Sequence, residues 1–153
     1  MQRLIEVENL TLQFRTDEGL ITAVENVSFS LESGEVMGLV GESGSGKSVT
    51  AKAIMHLNAS NAVYGEDSRI TLHTENGPVD VLSLKRPSDL KVVRGGSISM
   101  IFQEPMASFA PSISIGKQMI EQLQLHSEMN KDQAREIAVE MLDRVGISDP
   151  STR

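Results

Sequence analysis

The sequence predicts an α/β fold in which strands come first, a strand–loop–helix unit follows, and helices end the chain. Three observations predict it. Apolar and polar residues alternate over much of the first forty positions, a glycine-rich loop at 41–46 separates an apolar run from a helical pattern, and apolar residues recur at helical spacing beyond residue 115. The length of 153 residues suits one domain or part of a larger one.

Composition excludes several classes of protein. The chain has no Cys, which excludes iron–sulfur clusters, thiolate zinc sites and a disulfide framework. Its formal net charge of −7 argues against a general nucleic-acid binder, which needs a basic face. No apolar run approaches the roughly 18 residues of a membrane span, and the first ten residues lack the apolar stretch of a signal peptide. We therefore expect a cytosolic, soluble chain.

The first predicted elements are strands and one helix. Near-alternating patterns over residues 4–14 and 21–31 predict two strands, separated by a break at Gly19. The run 36–40 is almost entirely apolar, which is typical of a strand buried on both faces. Apolar positions at helical spacing then predict a helix over 47–57.

The middle of the chain carries a hairpin signal. Residues 58–67 are small, polar and rich in helix breakers, which predicts a loop. Asn76-Gly77, flanked by two apolar stretches, is the strongest short hairpin signal in the chain. Residues 88–93 fit one helical turn, and 98–102 fit a further strand.

Two helices are predicted at the end of the chain. Asn130 and Gln133 have the spacing of a capping box before the second helix, and Gly146 follows its predicted end. The apolar stripes of the two helices are Ile115, Met119, Ile120 and Leu123 in the first, and Ile137, Ala138, Met141, Leu142 and Val145 in the second.

The segment Gly41-Glu42-Ser43-Gly44-Ser45-Gly46-Lys47-Ser48 fits the phosphate-binding pattern G-x-x-x-x-G-K-[S/T]. Glycines let backbone amides approach phosphate oxygens, and the following helix directs free N–H groups and its positive dipole end at the same place. We expect Lys47 to reach the outer phosphates and the Ser48 hydroxyl to bind Mg²⁺. The alternative is a glycine-rich turn that only links strand and helix, but an apolar run before and a helix after favour nucleotide binding.

Longer stretches resemble a known family. Residues 23–29 (AVENVSF), 39–48 (LVGESGSGKS) and 101–106 (IFQEPM) together look like an ATP-binding cassette (ABC) transporter ATPase of the oligopeptide/dipeptide/nickel importer type. The resemblance implies a P-loop NTPase core with an N-terminal antiparallel β subdomain and the start of a helical subdomain. It divides the chain into a β-rich part with the Walker A core (1–102), a Q-loop (103–114) and the start of the helical subdomain (115–153).

The resemblance also implies roles for single residues. Gln103 corresponds to the Q-loop glutamine, which contacts Mg²⁺ and the attacking water, so Lys47 and Gln103 are the expected catalytic residues and Ser48 and Gln103 the expected Mg²⁺ contacts. Phe14 lies where the family places an aromatic that stacks on adenine. Each of these two residues also has a purely structural alternative. Phe14 could be a core residue of its strand, and the Gln103 side-chain amide could cap the turn at Pro105. The resemblance implies that residues 41–48 wrap the phosphates, and the full nucleotide-binding set that it implies is Gly41, Glu42, Ser43, Gly44, Ser45, Gly46, Lys47, Ser48, Val49 and Phe14.

Other family motifs do not occur in the sequence. No Asp ends an apolar strand as in Walker B, since Asp80 follows Gly-Pro-Val and Asp143 lies in the last predicted helix. There is no L-S-G-G-Q signature and no switch histidine; the scattered histidines at 56, 73 and 126 are expected at the surface or on helix faces. The sequence thus resembles the N-terminal portion of a longer ATPase domain, truncated before the signature. We expect it to bind nucleotide, to hydrolyse it poorly, and to be marginally stable or to self-associate through an unpaired strand edge.

One family segment departs from the pattern. After Met106 the chain continues Ala-Ser-Phe-Ala-Pro, where relatives usually have a Leu-Asn-Pro ending. The departure weakens inference about the permease-facing surface, for which residues 104–115 are the expected docking region.

The function implied by the resemblance is that of an ATP-binding subunit of an ABC importer for peptides or a related small solute. ATP and Mg²⁺ are the implied cofactors. The implied partners are transmembrane permease subunits, a second ATPase subunit and, indirectly, a periplasmic or extracellular solute-binding protein, at the cytoplasmic face of the inner membrane. Two alternatives stay open: a non-catalytic nucleotide-binding or interaction module, and another P-loop NTPase such as a small-molecule kinase, for which Arg69, Arg86 and Arg94 are candidate lid arginines only by residue type.

Overall fold

Two long antiparallel strands, β1 (Arg3–Thr16) and β2 (Gly19–Glu32), form the first hairpin of the computed structural model, which describes residues 2–104 and 108–152. The predicted alternation is confirmed, because Leu10 and Leu12 of β1 are fully buried at alternate positions. Shifts in register between the two strands mark β-bulges, near which Asn9 and Asn26 adopt left-handed backbone conformations (φ 49° and 48°).

The other edge of β1 pairs with two separate strands. β3 (Ala62–Tyr64) pairs with one stretch of β1 and β4 (Arg69–Thr74) with another, and β5 (Gly77–Asp80) extends the sheet beyond β4. All of these pairs are antiparallel, which gives a five-stranded sheet. β3 interrupts the predicted loop at 58–67, because the three-residue strand finds hydrogen-bonding partners on β1 that periodicity cannot reveal.

The predicted hairpin is confirmed as β4 and β5, but its turn lies one residue earlier than Asn76-Gly77. Thr74 pairs directly with Gly77, so that the loop consists of Glu75 and Asn76. Gly77 has φ +110°, a conformation that favours glycine. The turn signal therefore identified the hairpin and missed its register by one position.

Helix α1 (Lys47–Ile54) begins directly after Gly46 and ends earlier than the predicted position 57. Its Thr50 and Ala53 side chains are buried. A 3₁₀ turn (Val81–Ser83) and the short helix α2 (Pro87–Leu90), which confirms the predicted helical turn, complete the first part of the chain. The core cluster consists of Ile5, Val7, Leu10, Leu12, Val24, Ala53, Ile70, Leu72, Val81 and Val93.

Two predicted strands are wrong. Residues 36–40 form no strand, and Val36 and Val40 are 96% and 92% exposed instead of buried. Residues 99–102 also form no strand; Ile98 makes only an isolated bridge to Arg94, and Ile101 is 94% exposed. A strand that is apolar on both faces needs hydrogen-bonded neighbours, and within residues 2–104 and 108–152 no strand pairs with either segment.

The chain divides into two compact units, Met1–Ile98 and Ser99–Arg153. The second unit holds α3 (Ile115–His126), α4 (Lys131–Arg144) and a 3₁₀ turn (Pro150–Thr152). Both predicted helices are confirmed, and so is the capping box. The Asn130 side chain accepts hydrogen bonds from the N–H groups of Asp132 and Gln133, and Gln133 Oε1 accepts one from the Asn130 N–H, each at 3.0 Å.

No helix in the part of the chain that the structure describes is long and apolar enough to cross a membrane.

Candidate functional site

The glycine-rich loop is positioned against β2 by its last glycine. Gly46 adopts a left-handed conformation (φ +88°), and a Cβ atom there would lie 2.5 Å from the Ala23 backbone oxygen. Gly44 is also left-handed (φ +83°). Near the start of the loop, a Cβ on Gly41 would lie 2.6 Å from Ser45 Oγ. Backbone conformation therefore favours glycine at positions 44 and 46, and the close approach to a backbone oxygen requires it at position 46.

The loop ends at the N-terminus of α1, where backbone donors are available. Gly46 is the N-cap residue and supplies no side-chain cap, so the first-turn N–H groups receive no side-chain acceptor there. The first turn also contains no acidic residue. Free N–H groups and the positive end of the helix dipole together suit an anion such as a phosphate.

Thr50 is a residue of this site that sequence reasoning missed. It is 4% exposed, and both its N–H and its hydroxyl donate to the Gly46 carbonyl oxygen, at 2.8 and 3.0 Å. The bond from the hydroxyl holds the last loop glycine on the helix from the buried side. A Thr four positions after that glycine is the signal that could have identified it.

The Lys47 ammonium lies over the loop. Its Nζ donates to the carbonyl oxygens of Gly41 and Glu42, both at 2.7 Å, and more weakly to Ser45 Oγ at 3.4 Å. No ion pair found among the described residues involves Lys47. The ammonium charge is therefore held by neutral acceptors and stays available to an anion at the loop.

One side chain at the loop, the Ser48 hydroxyl, is of a type that binds Mg²⁺ together with phosphate oxygens. Ser48 is exposed in the first turn of α1, next to Lys47. Throughout the described residues, no group of three or more His, Asp or Glu side chains is arranged to hold a metal. A hydroxyl ligand completed by phosphate oxygens and water is the coordination that Mg²⁺ commonly accepts.

The other predicted site residues lie in different surroundings. Val49 packs partly against the core, and its contact with nucleotide stays a prediction. Phe14 lies on β1 opposite Ile21 and packs partly against the core. Stacking of Phe14 on adenine stays a prediction, and so does the alternative in which Phe14 serves only as a core residue.

Gln103 belongs to the second unit, where it is exposed in a bend. Pro105 and Met106 of the family-like segment lie outside the described residues, as does part of the expected docking region 104–115. The Q-loop roles of Gln103 stay predictions.

Comparison with known proteins shows the family. The model of the family described as ABC transporter matches residues 24–153. The dipeptide transport ATP-binding protein DppD of Lactococcus lactis subsp. cremoris is 44% identical over 149 residues, which cover 97% of this chain and 41% of that protein. The glutathione import ATP-binding protein GsiA of Escherichia coli is 40% identical over 149 residues, which cover 97% of this chain and 24% of that protein. The chain thus spans less than half the length of these relatives.

A solved structure shows the same fold. The dimeric post-hydrolysis state of the ATP-binding cassette MJ0796, bound to ADP and Pi, superposes with a TM-score of 0.72 at 23% identity, covering 92% of this chain and 56% of that one. The predicted fold class, an α/β core of the ABC ATPase type, is confirmed. Because the family model extends over most of its residues, the chain belongs to the ABC transporter family.

Proposed function

We propose that this chain is the nucleotide-binding part of the ATP-binding subunit of an ABC importer. The observation that carries the proposal is the convergence at one loop of the Lys47 ammonium and the uncapped first turn of α1. The names of the two relatives, for dipeptide transport and for glutathione import, support a peptide or a related small solute as cargo.

The residues of the loop divide the work of binding a triphosphate. The first-turn N–H groups of α1 donate to phosphate oxygens, and Lys47 exchanges its loop acceptors for more strongly accepting phosphate oxygens. Ser48 would hold Mg²⁺, which would supply charge neutralisation at the phosphates. Lys47 would act at this loop by charge stabilisation, and the role proposed for Gln103 is the one that the family resemblance implies, contact with Mg²⁺ and positioning of the attacking water.

Hydrolysis needs groups that these 153 residues do not contain. No Asp-Glu pair follows an apolar run in the sequence, so no carboxylate is placed to help hold Mg²⁺ and orient water. We propose that the chain binds Mg·ATP but turns it over poorly. In the whole protein, we propose, this part pairs with a second ATPase subunit and with permease subunits at the cytoplasmic face of the membrane and couples hydrolysis to transport.

Titration calorimetry with Mg·ATP tests the binding proposal. Because a hydrogen bond to a charged group contributes about 1.5–3 kcal/mol, we expect Lys47→Ala to weaken binding about tenfold or more. Lys52→Ala is the matched control, since it removes the same charge from an exposed position in the last turn of the same helix. Circular dichroism establishes that each protein is folded.

Two results would contradict this function. A folded wild-type chain that gives no heat with millimolar Mg·ATP excludes nucleotide binding. If the 153 residues alone release phosphate steadily and Lys47→Ala abolishes the release, the proposed weak turnover is excluded. The proposal that the chain binds nucleotide then still stands.

A further inference from the structure

The C-terminal end of α1 is closed by a left-handed residue that is not glycine. His56 has φ +52°, and its N–H donates to Ala53 O at 2.9 Å, while the Leu57 N–H donates to Lys52 O at 2.8 Å. This pair of bonds is a Schellman motif, in which glycine usually takes the left-handed position. The motif satisfies two carbonyls of the last turn and leaves the carbonyl oxygens of Met55 and His56 for other donors.

Arg94 supplies those donors. Its Nε donates to Met55 O at 3.0 Å and its Nη2 donates to His56 O, across 39 and 38 residues of sequence. The guanidinium thus places a positive charge at the negative end of the helix dipole and bridges two neighbouring carbonyls with one rigid plane. No ion pair in residues 2–104 and 108–152 takes Arg94 to a carboxylate.

The backbone around Arg94 is itself held in place. The Arg94 N–H donates to Leu90 O at 2.8 Å, the Gly95 N–H to Ile98 O at 2.9 Å, and the Ile98 N–H to Val93 O at 3.0 Å. Val93 is fully buried in the core. The backbone from which the Arg94 side chain extends is therefore held in place within the first unit.

Neighbouring side chains add to the same junction. The His56 ring lies tilted against Tyr64, with ring centroids 6.1 Å apart, and burial together with the Arg94 charge lowers the pKa of His56, which disfavours its charged form. Asn58 Nδ2 donates to Val49 O and to the Tyr64 hydroxyl oxygen, both at 3.2 Å. Asn58 thus attaches Val49, in the first turn of α1, to β3, and Arg94 holds the C-terminal end of the helix.

We propose that Arg94 is a positioning residue of the nucleotide site, which fixes the C-terminal end of α1 and thereby the place of its first turn. This inference rests on the proposed function. The helix has eight residues and is only about 12 Å long, so a shift at one end reaches Lys47 and Ser48 at the other. At the N-terminal end, the hydrogen bonds of Lys47 run to the loop, and Gly46 lies against β2, so Arg94 supplies the attachment of the opposite end of the helix.

Measurement of Mg·ATP affinity in the 153-residue chain tests the proposal. Arg94→Gln leaves two carbonyls with at most a neutral partner, and we expect about tenfold weaker binding. Arg94→Lys keeps the charge but cannot bridge both carbonyls in one plane, so its affinity for Mg·ATP should lie between that of the wild-type chain and that of Arg94→Gln. Lys91→Gln is the matched control, because it makes the same change of charge at an exposed position next to α2 and should bind like wild type.

A second readout needs no nucleotide. The Thr50 N–H, which donates to Gly46 O, reports on the first turn of α1, and its hydrogen exchange should be about tenfold faster in Arg94→Gln than in Lys91→Gln. Ile70→Val in β4 removes a methylene group from a fully buried side chain and serves as a variant of lowered stability. A positioning role requires that Ile70→Val keeps the wild-type affinity.

Each outcome decides the matter. If the wild-type chain binds Mg·ATP and Arg94→Gln binds it with an affinity within about twofold of the wild-type value, the role of Arg94 is overturned and the proposed function stands. If Arg94→Gln and Ile70→Val lose equal amounts of Mg·ATP affinity, the loss reflects lowered stability in general, and this result also overturns the role of Arg94. A folded wild-type chain that does not bind Mg·ATP overturns the function and this role together. If Arg94→Gln does not fold, the same two measurements on Arg94→Lys decide.

Discussion

Gly46→Ala tests whether the glycine loop is fixed by contact with β2 or only by its own conformation. Gly46 has φ +88°, and a Cβ atom there would lie 2.5 Å from Ala23 O and 3.2 Å from Val24 Cγ2. The Ala23 oxygen belongs to the backbone of β2, so it cannot rotate away as a side chain could. An alanine at this position must move either the strand or the first turn of α1.

Gly44→Ala separates the two contributions. Gly44 has nearly the same φ, +83°, but a Cβ atom there would meet nothing within 4 Å, so this variant carries only the cost of a left-handed residue, about 1–2 kcal/mol. Gly46→Ala adds about 1–3 kcal/mol for the forced shift, so that its free energy of unfolding should fall by about 2–5 kcal/mol in all. The difference between the two variants measures the contact with β2.

Urea unfolding gives the free energies, and Mg·ATP titration gives the affinities. Because the shift displaces the first-turn N–H groups, we expect Gly46→Ala to bind at least about tenfold more weakly than Gly44→Ala. Equal losses of stability and affinity in the two variants would refute the reasoning, since they would show that Ala23 does not constrain the loop.

Two further predictions concern other parts of the chain. Asn130→Ala should lower the free energy of unfolding by about 1 kcal/mol in urea titrations, because it removes the side-chain acceptor of the capping box, whereas Asn130→Ser, which keeps an oxygen, should lose much less. In sedimentation velocity the wild-type chain should self-associate and the double variant Val36→Lys/Val40→Lys should shift toward monomer, because both valines are more than 90% exposed; a monodisperse wild-type monomer with a high melting temperature would contradict this.

The sequence was most informative where the deciding interactions are local. The capping box of Asn130 and Gln133 spans four residues, and the structure contains both of its bonds. The β4–β5 hairpin follows from a glycine with positive φ between two short apolar stretches. The glycine loop belongs to this class only in part, since its lysine contacts lie within residues 41–47 whereas the close approach of Gly46 is to Ala23 of β2.

The predictions failed where a segment depends on a partner elsewhere. The apolar run at 36–40 has the composition of a doubly buried strand, yet composition states only a preference for burial and supplies no hydrogen-bonding neighbour. The structure pairs β1 on both edges within an antiparallel sheet, and in the described ranges no strand reaches this run. Because Val36 and Val40 are exposed, we expect the run 36–40 to promote self-association, since an unpaired segment with a preference for β structure can pair with a second copy of the chain.

The two ends of α1 show why a motif identifies contact residues better than positioning residues. At the N-terminal end, Gly46 and Lys47 are neighbours in sequence, and their roles follow from conformation and charge at adjacent positions. At the C-terminal end, a histidine stands where glycine is usual, and the guanidinium that completes the cap comes from 38 residues further along the chain. No spacing rule connects those two residues. A motif therefore names the groups that touch a phosphate, and only the folded chain shows which distant side chain holds them in place.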